Sequence, residues 1–344
     1  MMVTREIEMG ARHSTYPVWN DQVSAGLSTT LRSPHTNSIF QQPFWLDAVA
    51  PASWDAVEIE TGGQVKARLP YVISRSRLGM TILSMPRLTQ TLGPWLAPAE
   101  GKYAAQLARH KELMTALFAQ LPAHDLFSQN FHHSITNWLP LHWQGFTQTT
   151  RYTYAIDGLD DVEKVWAGFE AEARRDIRRA REHLAVRSEP DIEHFLDLND
   201  LTFKRQGKRL PYSRELVRRL DSSCAERGLR RMFFAEDSEG RTHAAVYIVW
   251  DQDSAYYLMG AADPELRNSG ATSLLLWEAI QFAATVTRSF DFEGSMIESI
   301  ERFFRAFGAK QVPYFHVSWM SSRMAVLRGL SDSLDAVKRL MRRR

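Results

Sequence analysis

Two short segments carry residues whose types and spacing suit anion binding and proton transfer. The first is Asp263-Pro264-Glu265-Leu266-Arg267-Asn268-Ser269-Gly270-Ala271-Thr272, a polar turn that runs into an apolar helical pattern. A small-residue turn entering a helix presents unpaired backbone N–H groups and the positive end of the helix dipole, which suits a phosphate or diphosphate. Gly270 allows close backbone approach there. An ordinary helix start capped by Ser269 or Asn268 uses the same residue types, so the loop alone does not decide. The second segment is Phe290-Asp291-Phe292-Glu293-Gly294. Asp291 and Glu293 alternate with apolar residues at the end of a strand, where open α/β sheets place ligands. Either carboxylate suits a general base, and Glu298 lies in the same region. A capping or turn role before the following helix is the alternative for both.

Other chemistries find no support. The eleven histidines form no HExxH or HxxxH pair, and His132-His133 and His142 lack metal-ligand spacing, so no metal is expected. No Walker loop, GxGxxG or GxSxG occurs. The single cysteine, Cys224, excludes a disulfide within the chain and any CxxC site, and it has no neighbouring activating motif.

These segments need elements to position them. The chain has 344 residues, which suggests about two domains, and 44% hydrophobic with 24% charged residues excludes wholesale disorder. In the first half, Trp54 to Glu60 reads as a strand, Gly62-Gly63 as a hairpin turn, and alternation from Val65 to Tyr71 as a second strand. Met80 to Met85, Asp125 to Asn130 and Thr147 to Ile156 read as further strands, and Tyr103 to Leu121 as a helix. In the second half, Val162, Trp166, Phe169, Ala173, Ile177, Ala180 and Leu184 recur at steps of three and four, predicting one long amphipathic helix. A short strand and two helices, Asp191 to Gln206 and Ser213 to Arg227, follow. Then come three strands (Leu229 to Ala235, Thr242 to Trp250, Ser254 to Ala262), a helix from Gly270 to Val286, a strand at Ser289, a helix Ile297 to Phe307 and a strand Gln311 to Trp319. Short turns make the three middle strands antiparallel, and the step after Ala262 requires a parallel pair. The fold class is therefore α/β with a mixed sheet. The first half echoes this order, which suggests two copies of one fold joined near residue 158.

Net charge is +2, but residues 323 to 344 carry +5, leaving −3 on the rest. The body is not a basic nucleic-acid binder, so any electrostatic partner belongs mainly to the tail. There Leu327, Leu330, Leu334, Val337 and Met341 share one helical face, suited to packing on the body or a partner, or to an anionic membrane surface. No apolar run reaches the ~18 residues of a membrane span, and the first 30 residues show no secretory pattern, so a cytoplasmic protein is expected.

The element order together with Arg267-x-x-Gly270-x resembles the GNAT N-acyltransferases, whose Arg/Gln-x-x-Gly-x-Gly/Ala loop holds the diphosphate of acetyl-CoA. Thr272 stands where that motif ends in Gly or Ala. The run Phe290 to Gly294 with Ile300, Phe303, Phe304, Arg305, Ala306, Phe307 and Gly308 resembles the end of the FemAB-like family of tandem GNAT domains. Arg174 to Ala180 is similar to the helix that opens that family's second domain. The branch it resembles is the BioF2-like acetyltransferase domain, found with polysaccharide and cell-envelope biosynthesis. The resemblance spans roughly residues 36 to 320.

The resemblance implies an N-terminal arm (1–35), a GNAT-like acceptor-side domain (36–157), an acyl-CoA-side GNAT domain (158–320) and a basic amphipathic helix (321–344). It implies acyl-CoA binding by Arg267, Asn268, Ser269, Gly270, Ala271 and Thr272, with a backbone donor near Met259 or Gly260 for the developing oxyanion. Glu293 or Asp291 would be the base. The tyrosine that related enzymes carry on the next helix is missing, which leaves Tyr256 or Tyr257 as the nearest phenol. Arg175 and Arg178 either form a solvated face or bind an anionic acceptor such as a nucleotide sugar, and Lys204 and Arg205 resemble an acceptor-cleft position. The implied activity is transfer of an acyl group, expected to be acetyl, to an amine on an amino sugar or envelope precursor by direct attack. Two alternatives stand beside it. One is an aminoacyl-tRNA-dependent transferase, against which the family's Phe-Lys-x-x-Phe-Gly lysine is replaced by Phe304. The other is a non-catalytic scaffold docked by its basic tail.

Overall fold

The computed structural model describes residues 35–205, 207 and 209–328. In chain order they form α1 (Pro43–Val49), β1 (Trp54–Thr61), β2 (Gln64–Arg75), β3 (Thr81–Ser84), β4 (Trp95–Leu96), α2 (Tyr103–Ala119), β5 (Leu126–Asn130), α3 (Leu139–Trp143) and β6 (Thr147–Asp157). Then follow α4 (Val162–Ala167), α5 (Ala171–Arg181), β7 (Ala185–Arg187), α6 (Ile192–Arg205), α7 (Arg214–Ala225), β8 (Arg230–Glu236), β9 (Thr242–Trp250) and β10 (Ser254–Ala262). The series closes with α8 (Ala271–Ala283), β11 (Ser289–Asp291), α9 (Glu298–Arg305) and β12 (Lys310–Met320). The expected arm falls almost wholly outside the described residues, as does the tail beyond residue 328.

All the strands join one mixed sheet in the order β1-β2-β3-β5-β12-β6-β11-β10-β9-β8-β7, with β4 beside β2. The β8–β9–β10 meander is antiparallel and β10–β11 is parallel, as the turn lengths require. Element order does not disclose the place of β12, which lies between β5 and β6 and pairs with both. The sheet is thus continuous across residues 157 and 158. Along β12 the pleat separates two environments. Phe315, Val317 and Trp319 face a core of Phe127, Phe131, Phe146 and the apolar side of α2. Tyr314, His316 and Ser318 face the other way.

The long helix predicted from Val162 to Leu184 is two helices. Tertiary packing overrides its period at residues 168–170. Phe169 turns inward onto Trp277 and Phe307, at 5.3 and 5.1 Å between ring centroids. The Glu170 N–H donates to the Ala306 carbonyl at 2.8 Å. Gly308 approaches so closely that a Cβ on it would lie 2.6 Å from the Gly168 oxygen. Helix α8 is apolar nearly all round and is sandwiched against α5, β8 and β9, which fixes the direction of its N-terminus. Among the described residues no helix is long and apolar enough to cross a membrane.

Candidate active site

The site begins where β10 parts from its neighbour. β10 pairs with β11 only at Ser254–Tyr256, opposite Ser289–Asp291, and then continues to Ala262 bonded to β9 alone. A bulge falls between Tyr257 and Met259. The Asp263 N–H donates to the His243 oxygen at 2.9 Å. By antiparallel alternation, Ala261 and Met259 then point their N–H groups at β9, while Gly260 and Ala262 point theirs at the open edge. Gly260, not Met259, is therefore the open-edge donor. Helix α6 supplies partners along that edge. Asn199 Nδ2 donates to the Gly260 oxygen at 3.1 Å, and the Ala262 N–H donates to Thr202 Oγ1 at 2.9 Å. Tyr212 Oη donates to Asn199 Oδ1 at 3.2 Å, and burial pushes its phenol up to about 12.

Gly260 also has a steric role. A Cβ on it would collide with Tyr257 Oη, so the missing side chain is the notch in which that phenol sits. The Tyr257 ring meets Phe304 of α9 edge-on at 6.0 Å, and burial raises its pKa.

The loop after β10 makes a 3-10 turn at Arg267–Ser269, and Gly270, at φ 78°, starts α8 in the left-handed conformation. No side chain caps α8. Its first backbone bond from the loop is Leu274 N–H to the Gly270 oxygen at 3.0 Å, so the amides of Ala271, Thr272 and Ser273 precede the intrahelical ladder. Ser269 Oγ is buried without a partner. Arg267 and Asn268 are exposed. The close approach at Gly270 is made by α5. A Cβ there would lie 2.8 Å from the Asp176 oxygen, and Arg179 Nη2 donates to the Asn268 oxygen at 3.3 Å. Beside Ser269 opens a cleft of about 450 Å³ lined by Arg179, His183, Asp237, Arg241 and His243. His243 and Arg241 hold the Asp237 carboxyl well below the usual carboxylate range.

The carboxylates after β11 differ from each other. Asp291 is buried. It accepts from Thr153 Oγ1 at 2.5 Å and from the Glu293 N–H at 2.6 Å, and it lies 3.5 Å from Gln90 Nε2. Burial outweighs these donors and pushes its carboxyl up to about 6. Glu293 sits in the left-handed region at φ 58°, followed by Gly294 at φ 60°. A Cβ on Gly294 would collide with the Tyr152 oxygen, which presses this turn onto β6. Glu293 Oε1 is buried without a partner, and burial, with the nearby Asp291, pushes its pKa well up. Asp291 thus shapes the turn, and Glu293 presents a free carboxyl oxygen.

The predicted residues are therefore distributed. Tyr256 lies opposite Asp291 in register, so Tyr257 points to the other face of the sheet, with Phe304 and Phe292. Arg175 pairs with Glu172 at 3.7 Å and Arg178 lies over the Trp166 ring at 5.7 Å, so both stay on the solvent side of α5, away from the carboxylates. Lys204 and Arg205 are exposed at the end of α6, the helix that lines the open edge. Cys224 is buried and its thiol is pushed up to about 12. Among the described residues no group of side chains could hold a metal. Sequence reading missed Asn199, Thr202 and Tyr212, whose side chains follow no motif, Thr153 and Arg151, which sit in a run polar at every position, and Tyr314 and His316, whose signal was alternation with Phe315 and Val317.

Residues 168–303 match the family model of the GNAT acetyltransferase domain. No curated protein matches the chain in sequence. Among solved structures, the crystal structure of FemX is 14% identical, covers 84% of this chain and 94% of its own, and superposes with a TM-score of 0.63. A conserved protein of unknown function from Bacteroides thetaiotaomicron is 13% identical, with coverages of 81% and 90% and a TM-score of 0.53. These likenesses establish a shared fold. With a match to the GNAT acetyltransferase domain over residues 168–303 and the fold of FemX around it, the chain is a GNAT-fold acyltransferase.

Proposed function

We propose that the chain moves an acyl group from acyl-CoA to a primary amine on an amino sugar or cell-envelope precursor. The observation that carries this reading is the open edge of β10, which leads from the Gly260 N–H to the uncapped start of α8. The donor set there fits a diphosphate: Ser269 Oγ lacks a partner, and the amides of Ala271 and Thr272 precede the helical ladder. Arg267 and these groups would hold the cofactor, which supplies an acyl thioester. Gly260 N–H and Tyr257 Oη would take the negative charge that develops on the carbonyl oxygen. Glu293, across the sheet, would accept the proton of the incoming ammonium so that the free amine attacks directly. Residues 36–157 would form the acceptor side and 158–320 the acyl side, with the basic tail able to hold the enzyme near a membrane surface.

The test is calorimetric titration with acetyl-CoA and longer acyl-CoAs. Gly270 is unsuited to mutation because α5 packs on it, so the variants are Arg267→Ala and Ser269→Glu. Binding that weakens in both variants supports the reading, and the absence of binding by any CoA ester removes it. The exposed Lys204–Arg205 end of α6 beside the open edge favours one second reading, an aminoacyl-tRNA donor. That reading predicts salt-sensitive tRNA binding and no response to acyl-CoA.

A further inference from the structure

The sheet face that carries Asp291 extends across β6, β12 and β5, and between Thr147 and Thr153 on β6 and between Tyr314 and Ser318 on β12 its side chains are polar. Thr153 and Arg151 lie two apart on β6, Tyr314 is directly opposite Arg151 on β12, and His316 is opposite both Thr149 and Asn130. The reverse face of β5 and β12 belongs to the core. The polar face is internally tied in part: His316 Nδ1 lies 2.9 Å from Asn130 Oδ1, Asn130 Nδ2 donates to the Gln90 oxygen at 2.9 Å, and Gln90 Nε2 donates to Thr153 Oγ1 at 3.0 Å.

Two groups on this face are left without a partner of their own, the Arg151 guanidinium without a counter-ion and the Glu293 carboxyl without a donor to one oxygen. Arg151 is exposed and makes no ion pair among the described residues. The Glu293 carboxyl has a buried oxygen with no partner. Their spacing is set by the backbone. Gly294 is pressed against Tyr152 and Thr153, so Glu293 stands over the end of the Arg151–Thr153 segment, a span of about 7 Å at the rise of a strand. Tyr314 lies opposite Arg151 on β12, and its phenol oxygen accepts from the Arg151 guanidinium. A neutral acceptor without a donor would leave the guanidinium without a counter-ion and the carboxyl oxygen without a partner. A ligand with a cationic and an anionic end would satisfy both, and charge-assisted bonds of this kind are the stronger sort.

We infer that this face is the acceptor site and selects a primary amine carrying a nearby anionic group, the ammonium at Glu293 and the carboxylate or phosphate at Arg151. The inference rests on the acyltransferase reading and names its acceptor class. In the step itself the ammonium N–H bond breaks and its proton passes to the Glu293 carboxylate, giving a neutral amine and a carboxylic acid.

The experiment measures binding alone, without any acyl donor. Matched pairs are titrated calorimetrically into the full chain at fixed ionic strength: 1,5-diaminopentane against lysine, and glucosamine against glucosamine 6-phosphate. The anionic member of at least one pair is expected to bind about 10- to 100-fold tighter than its neutral partner. Lysine winning identifies a carboxylate site, and the sugar phosphate winning identifies a phosphate site. Arg151→Gln should erase the preference, and Arg151→Lys should keep part of it. Glu293→Gln should weaken both members of a pair alike. Equal binding of the two members, a preference that survives Arg151→Gln, or no binding of any of the four by chain with an intact melting transition would each overturn the inference. Any of these leaves acyl-CoA binding untouched, and failure of acyl-CoA to bind leaves the amine preference untouched.

Discussion

The turns that follow β10 and β11 are neighbours built on the same device and put to opposite uses. Each contains a left-handed glycine whose missing Cβ makes room for backbone, Gly270 for the Asp176 oxygen of α5 and Gly294 for the Tyr152 oxygen of β6. They differ in what stands before the glycine. Ser269 precedes Gly270, and a helix follows whose first amides are uncapped, so that turn offers hydrogen-bond donors. Glu293 precedes Gly294 and is itself left-handed, at φ 58°, so the other turn offers a carboxylate. Such a conformation costs about 1–2 kcal/mol for a residue with a Cβ. Only the Glu293–Gly294 turn carries that cost, and strained residues concentrate where function requires a fixed side chain. The glycine decides where each turn is anchored, and its neighbours decide what each turn presents.

The sharpest way to break this comparison is Glu293→Gln. Loss of the proposed general base is expected to lower turnover about 10²- to 10⁴-fold. The same substitution should stabilise the fold. Burial raises the Glu293 pKa, so the folded chain keeps this proton after the unfolded chain has lost it, and stability falls as pH rises from the unfolded value of 4.5 towards the folded one. Glutamine cannot ionise, so the advantage of the variant should widen over that window in melting curves from pH 5 to 9. Equal melting points at pH 9 would mean that the carboxylate is solvated.

Next in size is Gly294→Ala. It adds a clash with backbone to a left-handed strain and should cost about 2–5 kcal/mol in denaturant unfolding. Gly270→Ala meets a milder contact at 2.8 Å and should cost about 1–3 kcal/mol. If the order of the two reverses, the Glu293–Gly294 turn is not the more tightly anchored one. Gly260→Ala and Tyr257→Phe should each lower turnover about tenfold, and the double variant should be no worse than the worse single one, because both remove the same seated phenol. The smallest effect is expected for Gly240→Ala. This glycine is left-handed but has nothing within 4 Å of its would-be Cβ, so only about 1 kcal/mol is lost.

Much of this arrangement was readable from local pattern. Apolar runs bounded by short turns marked β8, β9 and β10, small residues marked the loop at 267–270, and Phe290 to Gly294 marked the second turn. What escaped was decided by tertiary contact. The break in the long helix is enforced by Phe169, Ala306 and Gly308, from segments well over a hundred residues apart. Asp291 and Glu293 looked equivalent, because alternation says nothing of a left-handed turn in which one carboxylate hydrogen-bonds the next residue's frame. The polar residues that share a face of β6 and β12 were not read from the sequence, because which strands meet there is decided by pairing across about 170 residues.

The position of β12 bears on how the chain is made. Its partners on β5 and β6 lie far back in the chain, with Asn130 and His316 separated by 186 residues and Thr147 and Ser318 by 171. During synthesis both earlier strands emerge long before the one that joins them, so each waits with an unpaired edge of the kind that templates aggregation. Pairing across such distances is slow, and it completes only after residue 320 has been made. A nascent chain stalled before residue 310 would hold every residue of both glycine turns and still lack the strand that unites its sheet.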